Sequence, residues 1–223
     1  MGILYIVATP IGNLEDISKR ALRILSEADL ILCEDTRMTK RLLDHYEIKT
    51  KTTAYHQHTK IEKVAEIARF LKEGKILALV SDAGTPGISD PGNKLIAEIN
   101  GIDPDLLKSS PIPGPSALTA AASVAGFPMD RFVFLGFPPV KKKRKKFFEE
   151  AVGADYPAVF YESPHRIVKT LKEVALLTDR QITVCRELTK KFETIYRGSA
   201  SDILVKLAPD EIRGEFVVIL GNK

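Results

Sequence analysis

The chain has 223 residues, of which 44% are hydrophobic and 28% charged, with a formal net charge of +4 at pH 7. This composition is typical of a globular protein and excludes a chain that is disordered throughout. No apolar run approaches the roughly 20 residues that cross a bilayer, and the apolar start lacks the basic residues of a signal peptide. We therefore expect a cytoplasmic protein that does not span a membrane.

The first half of the chain alternates apolar runs with amphipathic helical patterns. Strands are predicted over 4–8, 30–33 and 76–80, and apolar residues recur at helical spacing over 17–28, 38–46 and 61–71. Strands that alternate with helices must be buried on both sides, so this half is predicted to be α/β with a mostly parallel sheet.

A proline-rich segment at 103–115 is the best candidate for a connection between two domains, which we place at 1–110 and 111–223. The second half is also predicted to be α/β. Its predicted strands are 132–137, 158–161, 182–185, 194–197 and 216–220, and its predicted helices are 116–124, 142–152, 165–176 and 201–207.

Three loops carry residues suited to ligand binding. Thr9–Asn13 follows the first strand, where open α/β sheets place ligands, but a plain turn is an equal alternative. Residues 81–92 hold three Gly, two Pro and two Asp, and a loop this long favours a binding role. Residues 111–117 could be a binding loop or a stiff linker with Ser116 as a helix cap. No G-x-G-x-x-G or G-x-x-x-x-G-K-[ST] motif occurs, which argues against nicotinamide and nucleoside triphosphate cofactors.

Polar clusters follow three of the predicted strands, namely Glu34–Arg37, Tyr161–Arg166 and Arg186–Lys191. Each cluster alone could be helix capping, but three together predict a site. His56 and His58 have no partner at ligand spacing, and Cys33 and Cys185 lie in apolar runs as expected for buried reduced thiols. We predict no metal site.

The second half is the more basic, with 18 basic and 13 acidic residues after residue 110 against 15 and 16 before it. Six of the cations are consecutive, at Lys141, Lys142, Lys143, Arg144, Lys145 and Lys146. A solvated surface loop is one interpretation. Contact with nucleic-acid phosphates is the one we favour, because a polyanion relieves the mutual repulsion of six cations.

Seven motifs together resemble the ribosomal RNA small-subunit methyltransferase I family, whose members are 2′-O-ribose methyltransferases within the tetrapyrrole methylase superfamily. In chain order they are LYIVATPIGNLEDIS (4–18), EDTR (34–37), SDAGTPGISDPG (81–92), PIPGPSAL (111–118), FYESPHR (160–166), RELTKKFE (186–193) and GEFV (214–217). One departure is that residues 98–110 lack the β-branched run that precedes PIPGPSA in the family, so the last strand of the first domain is not predicted.

The resemblance implies a two-domain class III methyltransferase fold, each domain a mixed or mostly parallel sheet with flanking helices. It also implies S-adenosylmethionine in the cleft between the domains, a homodimer, and methylation of a cytidine ribose in the decoding region of small-subunit ribosomal RNA. The cofactor neighbours carried over by motif are Pro10, Ile11, Gly12, Asp82, Ala83, Gly84, Thr85, Ile88, Ser116 and Ala117, with Tyr161, Glu187 and Phe216 from the second domain.

Methylation of a ribose hydroxyl needs a proton acceptor, and RNA binding needs cations. The candidates for the acceptor are Glu34, Asp35, Glu187 and, if burial lowers its pKa, Lys190. Arg37 and Arg186 are the predicted phosphate clamps, and Arg166 joins the basic run as a predicted RNA contact.

Two other functions stay open: a small-molecule methyltransferase of the same superfamily, and a non-catalytic RNA-binding module. The likeness of EDTR, ESPHR and RELTKK to the RNA enzymes favours the RNA methyltransferase.

Overall fold

The computed structural model describes residues 2–56, 59–105 and 108–222. The chain forms two compact units, Met1–Ser116 and Ala117–Lys223. The units divide after Ser116, rather than at the expected 110/111 boundary, because a strand of the first sheet crosses that boundary. His58 lies outside the described residues. No helix among those described is long and apolar enough to cross a membrane.

Unit 1 is a five-stranded parallel sheet in the order β3-β2-β4-β1-β5. Its strands are β1 (Ile3–Val7), β2 (Leu30–Cys33), β3 (Thr52–Ala54), β4 (Ile76–Leu79) and β5 (Ser109–Ile112). Its helices are α1 (Lys19–Glu27), α2 (Thr36–His45), α3 (Ile61–Lys72) and α4 (Gly92–Ile102).

Both faces of this sheet are buried, as the continuous apolar strands predict. Leu77 and Leu79 face one core with residues of α3 and α4, whereas Ala78 and Val80 face a second core with residues of α1 and with Leu43 of α2. Side chains alternate along a strand, so β4 supplies both cores.

The structure corrects the expectation at 98–110. Residues 92–102 form α4, and β5 pairs in parallel with β1, with Leu4 opposite Ser109 and Val7 opposite Ile112. β5 needs little apolar patterning because it is an edge strand that buries only Ile112. An edge position also tolerates Pro111.

Unit 2 has a mixed sheet in the order β6-β7-β10-β8-β9, in which only β6 and β7 are parallel. The strands are β6 (Val133–Phe134), β7 (Ala158–Glu162), β8 (Ile182–Arg186), β9 (Thr194–Gly198) and β10 (Phe216–Leu220). The helices are α5 (Ala117–Ser123), α6 (Arg144–Gly153), α7 (Pro164–Ala175) and α8 (Ala200–Lys206).

Helices α6, α7 and α8 pack on one face of this sheet, and α5 packs on the other. β8 and β10 are buried at every position, which explains why β10 is wholly apolar, whereas β8 also buries Thr183 and Arg186. The predicted α/β class of both units is confirmed. Cys33 and Cys185 are both buried free thiols.

Candidate functional site

The loops predicted to bind a ligand meet at the carboxyl edge of the first sheet. Thr9, after β1, and Gly84, after β4, exchange two backbone hydrogen bonds, with N···O distances of 2.9 and 3.0 Å. The Thr85 hydroxyl donates to the Pro115 carbonyl at 3.0 Å, which adds the loop after β5. Parallel strands end at one edge, so three sequence-distant segments converge there.

The loop after β2 is tied to the same cluster. The Asp35 N–H donates to Asp82 Oδ1 at 3.1 Å, joining the EDTR segment to the SDAG segment. Asp35 also caps α2, because its carboxylate accepts from the Arg37 N–H at 2.8 Å. Four loops of unit 1 therefore form one connected set, which we call the loop cluster: 9–13, 34–37, 81–92 and 111–116.

Gly84 lies where two loops of the loop cluster are bonded to each other. Its φ of +81° is a conformation that residues with a side chain rarely adopt, and a Cβ there would lie 3.3 Å from Ile11 Cγ2. Gly12, Asp82 and Ala83 next to it are exposed, as is Ile88 at 38%. The small, exposed residues Gly12 and Ala83 leave room for a ligand to approach closely, so the residues present fit a nucleoside-type cofactor.

Hydrogen bonds within residues 87–93 stabilise the end of the long loop itself. The Asp90 carboxylate accepts hydrogen bonds from the N–H groups of Gly87 and Gly92, at 2.7 to 2.8 Å, and Asn93 donates to the Gly87 carbonyl at 2.9 Å. Sequence reasoning missed this role of Asp90. Its place directly before a Pro-Gly pair was the available signal, since Asp often bonds to nearby backbone in turns.

The two carboxylates of EDTR have opposite electrostatics. Burial raises the pKa of Glu34, and the nearby carboxylates of Asp90 and Asp82 raise it further. Asp35 instead has a pKa of about 2, because Arg37 binds it at 3.1 Å through Nε and 2.7 Å through Nη2. Of the pair, only Glu34 has a pKa shifted toward neutral pH, which suits a proton acceptor.

The polar motifs of unit 2 also converge at one end of their sheet. Phe216, the first residue of β10, lies opposite Glu162 at the end of β7 and opposite Arg186 at the end of β8. Antiparallel pairing therefore places the ESPHR, RELTKK and GEFV motifs side by side.

Glu187 and Lys190 are bound to each other and to the segment before β10. Lys190 Nζ lies 2.8 Å from both Glu187 Oε1 and Glu215 Oε2, and Glu187 also accepts from the Glu215 N–H at 3.0 Å. A Cβ at Gly214 would overlap the Glu187 carboxylate, so this glycine lets the two segments touch.

These contacts set the charges of both groups. Burial alone lowers the pKa of Lys190, but Glu187 and Glu215 more than offset it and raise the pKa. Burial raises the pKa of Glu187, yet bonds from Lys190 and the Glu215 N–H bring it below its usual value. Lys190 is therefore a cation, which disfavours the expected role as a neutral base.

Of the three arginines predicted to bind RNA, Arg144 and Arg186 are buried, and Arg166 is paired with a buried carboxylate. Arg144 is 5% exposed and binds Glu173 at 2.8 Å, the Thr170 hydroxyl at 2.7 Å and Glu162 at 3.7 Å. Arg166 binds Glu162 at 2.9 Å and donates to the Pro138 carbonyl at 2.7 Å. A carboxylate as buried as Glu162, whose side chain is 0% exposed, needs such partners, and the sequence could not show this need.

Arg186 is 3% exposed, so it is not the expected phosphate clamp. Its guanidinium donates to the carbonyls of Phe192 and Arg213, each at 3.1 Å. The remaining cations of the basic run, Lys141, Lys142, Lys143, Lys145 and Lys146, are exposed.

The other predicted cofactor neighbours are spread over both units. Pro10 and Ser116 belong to the loop cluster, whereas Ala117 is the first residue of α5. Tyr161 is half-buried between Phe134 and Phe137, with ring centroids 4.9 and 5.4 Å away. Phe216 packs in the core at 2% exposure, so its side chain does not line an open site. Within the described part of the chain, no group of three or more His, Cys, Asp and Glu side chains could hold a metal ion.

Comparison with known proteins identifies the family. Residues 3–204 match the family described as Tetrapyrrole (Corrin/Porphyrin) Methylases. A protein of Thermotoga maritima named "Ribosomal RNA small subunit methyltransferase I" is 43% identical over 100% of both chains. Proteins of the same name from Halalkalibacterium halodurans and Bacillus subtilis are 45% and 44% identical over 99% of this chain, and over 76% and 75% of their own length.

Solved structures share the fold at much lower identity. A diphthine synthase aligns with a TM-score of 0.74 and 15% identity, over 99% of this chain and 90% of its own. The methyltransferase CobJ aligns with a TM-score of 0.70 and 19% identity, over 100% and 95%. Methyl transfer in the matched family depends on S-adenosylmethionine. The chain therefore belongs to the tetrapyrrole (corrin/porphyrin) methylase family, and its methyl donor is S-adenosyl-L-methionine.

Proposed function

We propose that this protein transfers a methyl group to the ribose 2′-hydroxyl of a cytidine in the decoding region of small-subunit ribosomal RNA. The observation that carries the proposal is the 43–45% identity, over nearly the whole chain, to proteins named ribosomal RNA small subunit methyltransferase I. The cytidine and its 2′-oxygen come from the resemblance of the EDTR, ESPHR and RELTKK motifs to that family.

The loop cluster of unit 1 is our proposed cofactor site. We assign Pro10, Ile11, Gly12 and residues 82–85 to it; a Cβ on Gly84 would lie 3.3 Å from Ile11 Cγ2 and 3.7 Å from the Pro115 carbonyl oxygen, which supports the need for glycine at this point. When bound, S-adenosylmethionine supplies a methyl group that its sulfonium has already activated. The protein must therefore orient the ribose hydroxyl and remove its proton, and orientation alone can contribute about 7 kcal/mol or more.

Glu34 is our proposed proton acceptor. It follows β2 in the loop cluster, and its half-buried carboxylate has a raised pKa. A base is most effective when its pKa lies near the working pH, and a positioned base contributes roughly 10²-fold or more. Asp35, with a pKa of about 2, is better suited to hold Arg37, whose largely exposed guanidinium is available to a phosphate.

The exposed lysines at 141–143, 145 and 146 are our proposed phosphate contacts. Lys145 is 87% exposed, with only a 3.7 Å pairing to Glu149. Cations without base-reading groups position a nucleic acid but do not select its sequence. We also propose that the protein acts as a cytoplasmic homodimer, and sedimentation analysis of the purified chain tests the dimer.

The decisive experiment is incubation with methyl-labelled S-adenosylmethionine and small ribosomal subunits from cells that lack this methylation, followed by nucleoside analysis. The expected product is labelled 2′-O-methylcytidine from the decoding region. Label on a base would contradict the ribose assignment, and no label in RNA would contradict the RNA methyltransferase. A parallel incubation with corrin and porphyrin precursors tests the small-molecule alternative.

A further inference from the structure

We propose that the exposed ring of Phe192, with the cations of Lys191 and Arg213 beside it, is a platform on which an unpaired base of the RNA substrate stacks. Phe192 lies in the loop that joins β8 to β9, and Arg213 lies in the segment before β10. The inference rests on the proposed function, because it names a part of unit 2 that receives the RNA.

The ring and the charges are both available to a ligand. Phe192 is 56% exposed, and two cations make long cation–π contacts with its ring, Lys191 Nζ at 5.6 Å and Arg213 Cζ at 5.8 Å from the ring centroid. Neither cation forms an ion pair with any residue that the structure describes. Lys190 differs, because Glu187 and Glu215 already neutralise it. The two cations without an ion-pair partner among the described residues, one from each segment, therefore lie against the aromatic ring.

Buried Arg186 holds the two parts of the platform together. Its Nε donates to the Arg213 carbonyl and its Nη1 to the Phe192 carbonyl, one from each segment. Burial of a guanidinium is costly unless its N–H groups are bonded, so these two contacts strongly favour one arrangement of the segments. A platform fixed before binding loses less conformational entropy when the ligand arrives.

The chemistry of this surface selects its ligand. A flat aromatic ring offers stacking to any base, and flanking cations attract the phosphates on either side of it. In a duplex the faces of each base are covered by its neighbours, so the ligand must be single-stranded or looped RNA. The loop 186–193 thus binds the substrate through Lys191 and Phe192, while Arg186 only positions them.

The test compares Phe192→Leu with Phe192→Tyr in filter-retention binding to a transcript of small-subunit ribosomal RNA across a salt series. Phe192→Leu should weaken binding about 5- to 150-fold, the range found when one base loses its stacking partner. It should leave the slope of log K against log salt unchanged, since no charge is lost. Phe192→Tyr should bind as the unchanged protein does.

A charge variant separates the two parts of the platform. Lys191→Gln with Arg213→Gln should flatten the salt slope by about 1.4, since each phosphate contact on a single strand contributes about 0.7. The matched control is Lys169→Gln with Lys172→Gln on α7, which removes the same charge elsewhere and should leave the slope unchanged. Thermal unfolding of every variant checks that the fold is retained.

Three outcomes would overturn the inference. In the first, Phe192→Leu binds RNA as tightly as the unchanged protein, and in the second, Phe192→Tyr binds RNA as weakly as Phe192→Leu. In the third, Phe192→Leu alters the sedimentation of the protein without altering RNA binding. The last outcome would mark the platform as a contact between copies of the chain. The unchanged protein is assayed for methyl transfer to small subunits in parallel. Failure there contradicts the proposed function, whereas normal transfer with unaffected Phe192 variants contradicts the platform alone.

Discussion

The two units assemble their polar motifs in different ways. At the carboxyl edge of the first sheet, backbone groups and short polar side chains join the loops, as in the paired bonds between Thr9 and Gly84. At the motif-bearing end of the second sheet, buried charged side chains do so, as in the contacts of Arg144 and Arg186. Backbone contacts leave space for a small ligand, whereas buried ion pairs build a rigid support for exposed cations.

The largest effect should come from Gly84→Val, which inserts a side chain where unit 1 depends on backbone contact. We expect S-adenosylmethionine binding to disappear from calorimetry, because the Cβ would meet Ile11 at 3.3 Å and the positive φ would be strained. Gly74→Val is the matched control. Gly74 has a similar φ of +86° but nothing within 4 Å of its Cβ position, so its variant should keep the cofactor affinity. Equal affinities for all three proteins would contradict the cofactor site.

Arg144→Ala tests the buried ion pairs of unit 2. Removing one partner of a buried pair typically costs about 3–5 kcal/mol of unfolding free energy, because it leaves a charge buried without compensation. Glu162 would be that charge, although Arg166 remains beside it. Lys145→Ala, next along the chain and 87% exposed, should change the unfolding free energy by less than about 0.5 kcal/mol. Urea unfolding that gave the same loss for both would contradict the assignment.

Glu34→Gln should lower turnover on small subunits by about 10²-fold while cofactor affinity is kept. In the unchanged protein, Glu34 accepts a proton only when ionised, so turnover should fall as the pH drops through its raised pKa. That acid limb should be absent from the residual activity of Glu34→Gln. Asp35→Asn is the comparison, since a pKa of about 2 places its titration well below the limb. An unchanged acid limb in Glu34→Gln would assign the proton acceptor to another group.

The smallest effect belongs to the exposed lysines. Changing Lys142, Lys143 and Lys145 together to Gln should flatten the dependence of log K on log salt by about two to three units, and turnover at saturating RNA should barely change. Filter retention across a salt series measures this slope. If the unchanged protein and the triple variant gave identical slopes, the basic run at 141–146 would be a solvated surface that does not contact RNA.

Patterns of apolar residues were sufficient to predict most of the fold. β2 and β10 have the expected bounds because both are apolar at every position, and the apolar run stops at Glu34 after β2 and at Gly221 after β10. β5 could not be predicted, because backbone pairing with β1 at the edge of the sheet, rather than burial of apolar side chains, stabilises Ser109–Ile112 as a strand. α4 was missed because two glycines and two asparagines dilute its helical pattern.

The position of the candidate site could be predicted from the sequence, but which of its charged side chains are paired with one another could not. Loops rich in Gly and Pro after parallel strands indicated the cluster at 9–13 and 81–92. Whether a cation is free depends on carboxylates that only the fold brings near it. Arg144 looked like its lysine neighbours in sequence, yet it belongs to the buried pairs around Glu162. Phe192 was overlooked because an exposed ring and a buried one have the same sequence signal.

The contact between Glu187 and Gly214 has a consequence for how such sequences evolve. Glu187 keeps a left-handed backbone, with φ of 51°, and its carboxylate occupies the space that a side chain at 214 would fill. Any larger residue at 214 would displace that carboxylate from Lys190 and from the Glu215 N–H. The two positions, far apart in the chain, should therefore change together among descendants of this sequence: wherever position 214 acquires a side chain, position 187 should already have lost its glutamate.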